Sequence, residues 1–183
     1  MENTETRILV LGVGNVLYTD EGFGVRVVED LEQNYEFPPH VTVMDGGTLG
    51  TKLMGPIMEC DALVIVDIVL NDGQPGDIHR LMGDDLSKCL AFKNSMHQTD
   101  LLDVLANCKL IGQCPAADKV VLIGVEPRDY QTMSTALSPE LEERLPEVVG
   151  IMLKEIEAVG GSWKKRTTDN PSGEKIYVPR SAN

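Results

Sequence analysis

ALVIVDIV, residues 62–69, is the most hydrophobic run in the chain, and Asp67 is its single polar residue. A short, continuous, β-branched run of this kind suits a strand buried on both faces, as in a mostly parallel sheet covered by helices. An ionised carboxylate in such surroundings is costly unless it is paired or bound to a cation. Asp67 therefore marks where chemistry is to be sought.

Working outward, RILVLGV (Arg7 to Val13) is a second buried-strand run, stopped by Gly14-Asn15. Gly22 to Tyr35 then places Phe23, Val27, Val28 and Leu31 at helical spacing, with Asp20 or Thr19 as the expected N-cap. HVTVMD (His40 to Asp45) reads as a strand ended by Gly46-Gly47, and Thr48 to Met58 as a weaker helix interrupted by Gly50, Gly55 and Pro56. Beyond residue 69, Asn71-Asp72-Gly73 and Pro75-Gly76 lead to a short strand, Asp77 to Met82. Turns in place of a crossover helix permit an antiparallel pair there. A turn at Asp84 to Lys88, a loop bearing His97, a helix from about Asp100 to Ile111, a strand from Lys119 to Val125 and a long helix from Pro139 to Val159 complete the pattern. The alternation predicts a three-layer αβα sandwich, with helices on both faces of a mostly parallel twisted sheet. Residues 1–159 read as one domain, and 160–183 as a polar tail that docks locally at most.

A formal net charge of −13 over 183 residues disfavours nucleic acid and anionic membranes as partners, since both are repelled beyond about a Debye length, ~8 Å at physiological salt. Cys60, Cys89, Cys108 and Cys114 contain no Cys-x-x-Cys pair and read as reduced, packed thiols. The polar, acidic opening Met1 to Thr6 predicts no signal peptide. No apolar run approaches the ~20 residues of a membrane span, so a cytoplasmic location is expected.

Gly12-Val13-Gly14-Asn15 after the first strand invites a dinucleotide reading, which fails on detail. Leu17 stands where a Rossmann turn needs its third glycine, and Asp20 and Glu21 put carboxylates where a pyrophosphate would sit. Glu21, Asp67 and His97 instead each fall where the pattern places the carboxyl end of the sheet. Taken singly, Glu21 also suits first-turn dipole compensation, and His97 a surface or N-cap histidine. Together, two carboxylates and an imidazole with no thiolate make an open site for a divalent transition metal. Were the strand at 40–45 and the strand at 62–69 to flank the first strand, both carboxylates would line the crevice where strand order reverses.

Ile8 to Gly24 (ILVLGVGNVLYTDEGFG), Asp45-Gly46-Gly47-Thr48, Val66-Asp67, Ser95-x-His97-Gln98 and Gly124-Val125-Glu126-Pro127 together resemble the nickel–iron hydrogenase maturation endopeptidases. The resemblance runs in order from about Arg7 to Val159, with Met96 where some relatives carry proline. It implies a phosphorylase/hydrolase-like α/β sandwich with five strands, one of them antiparallel, and hence a peptidase domain at 1–159. It further implies that Glu21, Asp67 and His97 contact metal, with Asp45 in the cleft motif. The implied activity is removal of a C-terminal extension from the nickel-loaded large-subunit precursor of a hydrogenase, after a basic residue. On this reading nickel arrives with the substrate and no resident metal or nucleotide is expected. The partner is that precursor, and the enzyme itself is expected to be a monomer.

The bond-breaking step stays open between nickel acting as a Lewis acid and Asp67 or Asp45 acting as general base. Activity is expected to fall as His97 protonates, around the reference imidazole value of ~6.5. A nickel carrier without hydrolysis and an independent metallohydrolase are the alternatives. The latter would need a denser ligand cluster such as His-Glu-x-x-His, which the chain lacks.

Overall fold

The computed structural model describes residues 5–83, 85, 86 and 96–167, the side chains of 96–100 excepted. The strands are β1 (Ile8–Val13), β2 (Tyr35–Glu36), β3 (Val41–Gly47), β4 (Ala62–Ile68), β5 (Ile78–Met82), β6 (Val120–Val125) and β7 (Lys164–Lys165). The main sheet has the order β3-β1-β4-β6-β5. β1 runs parallel to β3 and β4, β4 runs parallel to β6, and β5 pairs antiparallel with β6. The turn-linked strand expected at 77–82 is therefore the antiparallel member. β3 and β4 do lie on opposite sides of β1, which puts the reversal of strand order at the carboxyl end of β1.

Alternating side chains build two cores. On one face Ile8, Val10, Ala62, Val64, Val66 and Ile68 pack with helices α1 (Phe23–Asn34) and α4, the latter starting with Pro139 and ending at Ala158. On the other, Leu9, Leu11, Leu63, Ile65 and Val69 pack with α2 (Met54–Glu59) and α3 (Met96–Ile111). All seven residues of β4 are buried, as a strand covered on both faces demands. Each fully buried aliphatic side chain there contributes about 1.5–3 kcal/mol relative to exposure.

Two departures from the expected boundaries carry information. Neither Thr19 nor Asp20 caps α1: a one-turn 3-10 helix, Thr19–Gly22, precedes it, and Gly22 occupies the cap with no side-chain bond. Asp20 instead accepts backbone N–H groups of the loop after β6. The helix expected from about Asp100 already includes Met96, so His97 is helical and not in a preceding loop. The segment 48–58 splits into a 3-10 turn, Gly50–Leu53, and the short α2, consistent with its glycines and Pro56. The turn expected at 84–88 falls mostly outside the described residues.

Residues 160–167 close onto α1's end: β7 pairs antiparallel with β2, and Trp163 meets Tyr35 edge-on at 5.3 Å between ring centroids. Residues 168–183 lie outside the described set. At the sheet's antiparallel edge, Arg80 on β5 donates to both carboxylate oxygens of the largely buried Glu155 on α4, at 2.6 and 3.0 Å. That fork ties the edge strand to the helical layer. Among the described residues no helix is long and apolar enough to cross a membrane.

Candidate functional site

Glycine brings Glu21 to the sheet. A Cβ on Gly24 would run into the carbonyl oxygens of both Val13 and Val66, so the first turn of α1 rests directly on the carboxyl ends of β1 and β4. Gly14, at φ +136°, would likewise drive a Cβ into the carbonyl oxygen of Glu21. That same oxygen accepts the Asn15 N–H at 3.0 Å, and the Glu21 N–H donates to Tyr18 at 2.8 Å. Glu21 is thereby fixed over the end of β1, half-buried, in a turn packed against β4.

Asp67 is the penultimate residue of β4 and only 3% exposed. Its Oδ1 accepts the N–H of Ile68 at 2.8 Å, which offsets part of the cost of a carboxylate in this environment. By strand alternation Asp67 shares the sheet face of Leu63, Ile65 and Val69, the face covered by α3.

α3 runs back along that face. Its C-terminal part, with Lys109, and Gly112 just beyond it border a groove shared with Val120, the first residue of β6. Its described residues from Met96 onward consequently begin at the carboxyl end of the sheet, the end of Asp67. Position 97 stands one turn ahead of Leu101, the buried residue that begins the Leu101, Val104, Cys108 core stripe. The His97 side chain is outside the described residues. Among those that are described, no group of three or more His, Cys, Asp and Glu stands ready to hold a metal ion.

Asp45 is placed differently. It pairs in register with Gly12 near the end of edge strand β3, exposed, in the row of Val41 and Val43 that faces α1. Asp67 lies beyond the Val66 that pairs with Gly12 from the other side, on the opposite face. The structure thus brings Glu21, Asp67 and the start of α3 to one end and leaves Asp45 two strands across, about 10 Å by strand spacing.

Two buried carboxylates hold this end together, and neither role was read from the sequence. Asp20, fully buried, accepts the N–H groups of Arg128 and Asp129 at 2.9 Å each through Oδ2, and that of Ser138 at 2.7 Å through Oδ1. It staples the loop after β6 to the turn carrying Glu21. Glu126, 4% exposed, accepts the N–H groups of Asn71 and Gly73 at 2.5 and 3.1 Å. Its own N–H donates to the Asp77 carbonyl, and its carbonyl accepts from Gly76. His79 Nε2 lies 3.3 Å from the same Glu126 oxygen, near enough for an ion pair though poorly aligned for a hydrogen bond. Asp72 adopts φ +58°, so residues 71–73 wrap a carboxylate in the manner of an anion-binding nest. The signal available was a Glu ending a wholly buried strand, inside the Gly124-to-Pro127 motif.

The thiols carry no sign of chemistry. Cys60, Cys108 and Cys114 are free, burial raises all three, and Cys60 is pushed up to about 12. Cys89 lies outside the described residues.

Residues 25–155 match the family model of the hydrogenase maturation proteases. The chain belongs to this family. It is 41% identical over 147 residues to the hydrogenase 2 maturation protease of Escherichia coli K12, covering 76% of this chain and 88% of that protein. It is 33% identical over 175 residues to the hydrogenase expression/formation protein HupD of Bradyrhizobium diazoefficiens, covering 95% of this chain and 90% of HupD. Among solved structures, the hydrogenase maturating endopeptidase HybD of E. coli superposes with a TM-score of 0.82 at 37% identity, over 87% of this chain and 98% of that one. The protein is thus a peptidase, a hydrogenase maturation endopeptidase, and the resemblance read from its motifs is confirmed. The family match takes in Asp45, Asp67 and His97 and begins after Glu21, which the relatives' longer alignments reach.

Proposed function

We propose that this maturation protease removes the C-terminal extension of the nickel-loaded large-subunit precursor of a nickel–iron hydrogenase, cutting after a basic residue. Glu21, Asp67 and His97 complete the coordination of an ion that the substrate presents. The observation that carries the proposal is the seating of Glu21's turn, through Gly24, on the very strand end that bears Asp67. Two oxygen donors and an imidazole suit a borderline divalent ion such as nickel, and the absence of a thiolate in the set leaves room for ligands from the substrate. Metal loading of the precursor then licenses the cut, since an unloaded precursor gives the three ligands nothing to bind.

Asp67, on the face covered by α3, is better placed than Asp45 to take a proton from the attacking water. The ion supplies Lewis-acid polarisation of the scissile carbonyl or of that water. Asp20 and Glu126 do not touch the reacting atoms; Asp20 holds the turn that carries Glu21, and Glu126 the turn that follows β4. The protease acts in the cytoplasm, where the precursor acquires its metal, and keeps no resident ion between turnovers.

Precursor processing with and without nickel, by wild type and by Glu21→Gln, Asp67→Asn and His97→Ala, tests this reading. Each variant is expected to stay folded and to lose cutting. Normal processing by all three, or nickel-independent processing by wild type, would remove its basis.

A further inference from the structure

The loops leaving the carboxyl ends of the parallel strands each hold one large apolar side chain in solvent. Leu17 follows β1, Leu49 follows β3, Leu70 follows β4 and Met133 follows β6, with exposures of 54, 38, 37 and 74%. Their backbones are ordered by local bonds. Ser134 N–H donates to the Leu17 carbonyl at 3.0 Å, Tyr18 bridges Met133, and Leu49 N–H donates to Gly46 at 3.0 Å. Leu70 follows Val69, whose N–H still reaches the Val125 carbonyl at 2.8 Å.

A lone exposed leucine is ordinary, and the distribution is what matters. The other large exposed apolar residues among those described, Leu110 and Ile111, sit together at the C-terminus of α3, at the opposite end of the sheet. Carboxylates stand among the first four, at the carboxyl end: Glu21 half-buried on the turn after β1, Asp45 exposed near the end of β3, and Asp72 exposed on the turn after β4. Arg128, the nearby cation on the loop after β6, is already paired with Glu140 at 3.1 Å. Large apolar side chains exposed together at one end of a molecule, in place of an even scatter of lone ones, mark a surface that recognises another polypeptide. The acidic centre favours a cationic side chain and repels an acidic one.

We propose that Leu17, Leu49, Leu70 and Met133 form the docking rim for the precursor's C-terminal region, whose apolar side chains pack on the rim while its positive charge is attracted by the acidic mouth, with Asp45 on one side and Asp72 on the other. This rests on the peptidase reading above and adds the surface that selects the polypeptide. Affinity is set by the rim, and cutting by the metal ligands.

The test measures binding and cutting of the nickel-loaded precursor in the same samples, for wild type, for Leu17→Ser with Met133→Ser, and for Leu110→Ser with Ile111→Ser as the control at the far end. The rim pair is expected to raise Kd roughly tenfold or more, as loss of apolar anchors does, and the control pair to leave it unchanged. Met133→Ser alone, at the most exposed position, serves if the double variant fails to fold. An unchanged Kd in the rim variants, or an equal rise in the control, overturns the proposal. Rim-dependent binding without cutting keeps the docking surface and overturns the peptidase mechanism; cutting with rim-independent binding does the reverse.

Discussion

The two ends of the sheet use charge in opposite ways. At the carboxyl end Asp20 and Glu126 are buried, and their partners are backbone N–H groups of loops that converge on Glu21 and Asp67. At the amino end the chief pair, Arg7 and Asp61, is exposed: Asp61 accepts the Arg7 guanidinium at 2.8 Å as well as the Arg7 N–H at 2.9 Å, both in solvent. Nearby α3 and β6 border an apolar groove of about 470 Å³ with Lys109 as its charged residue. The difference teaches where a carboxylate shapes a molecule: inside, against backbone, it fixes loops that have no ladder of their own, whereas in solvent it is screened and dispensable.

Asp20→Ala should show the largest effect. It strands three N–H groups of the loop 128–138, at a cost of about 4 kcal/mol and roughly a 10 °C fall in thermal midpoint, while Asp20→Asn loses less because its amide oxygen still accepts. A melt of Asp20→Ala within about 1 °C of wild type by circular dichroism would erase the contrast between the ends. Gly24→Ala comes next, at about 3 kcal/mol, because the obstacles are backbone carbonyls that cannot rotate away. Its processing rate should fall further than its stability predicts, since Glu21 is displaced with the helix; an undiminished rate in the folded variant would detach Gly24 from the site.

Glu126→Ala should cost about 2 kcal/mol and Glu126→Gln about half that, the amide oxygen replacing one acceptor for Asn71 and Gly73. Hydrogen exchange of the 71–77 turn would report this directly, and equal protection in all three proteins would refute the clasp. The smallest effect belongs to Arg7→Ala. Arg7 hydrogen bonding holds Asp61 down at about 2, so any stabilisation is present above the usual carboxylate value of ~3.9 and is lost as pH falls through about 2. Because both groups are exposed, unfolding midpoints of Arg7→Ala at neutral pH and high salt should match wild type. A deficit that persists in 1 M salt would mean the amino end is held by charge after all.

Much of the architecture was legible because buried parallel strands announce themselves: residues 8–13, 62–69 and 120–125 are runs that fit nothing else at that length. The antiparallel strand was legible from its turns, and the reversal point followed once the flanking strands were placed. The placement of Asp67 was legible for a different reason, being the one carboxylate in an apolar run. What escaped were partners that sequence spacing cannot express. Asp20 lies 118 residues from the Ser138 N–H it accepts, and in sequence it looks like any helix-capping aspartate. Glu126 likewise meets a turn 53 to 55 residues upstream. The helical state of residues 96–99 was not legible because Met96-His97-Gln98-Thr99 carries no apolar period and no strong cap.

The strand order has a consequence for when the main sheet can close. β6, the last strand of the main sheet to leave the ribosome, belongs between β4 and β5, both made some forty to sixty residues before it. Until it arrives, β4 has an open edge beside Asp67 and β5 has no neighbour to pair with in the sheet. A growing chain therefore leaves the middle of the main sheet open until residues 120–125 have been made, and β4 and β5 wait for the one strand that joins them.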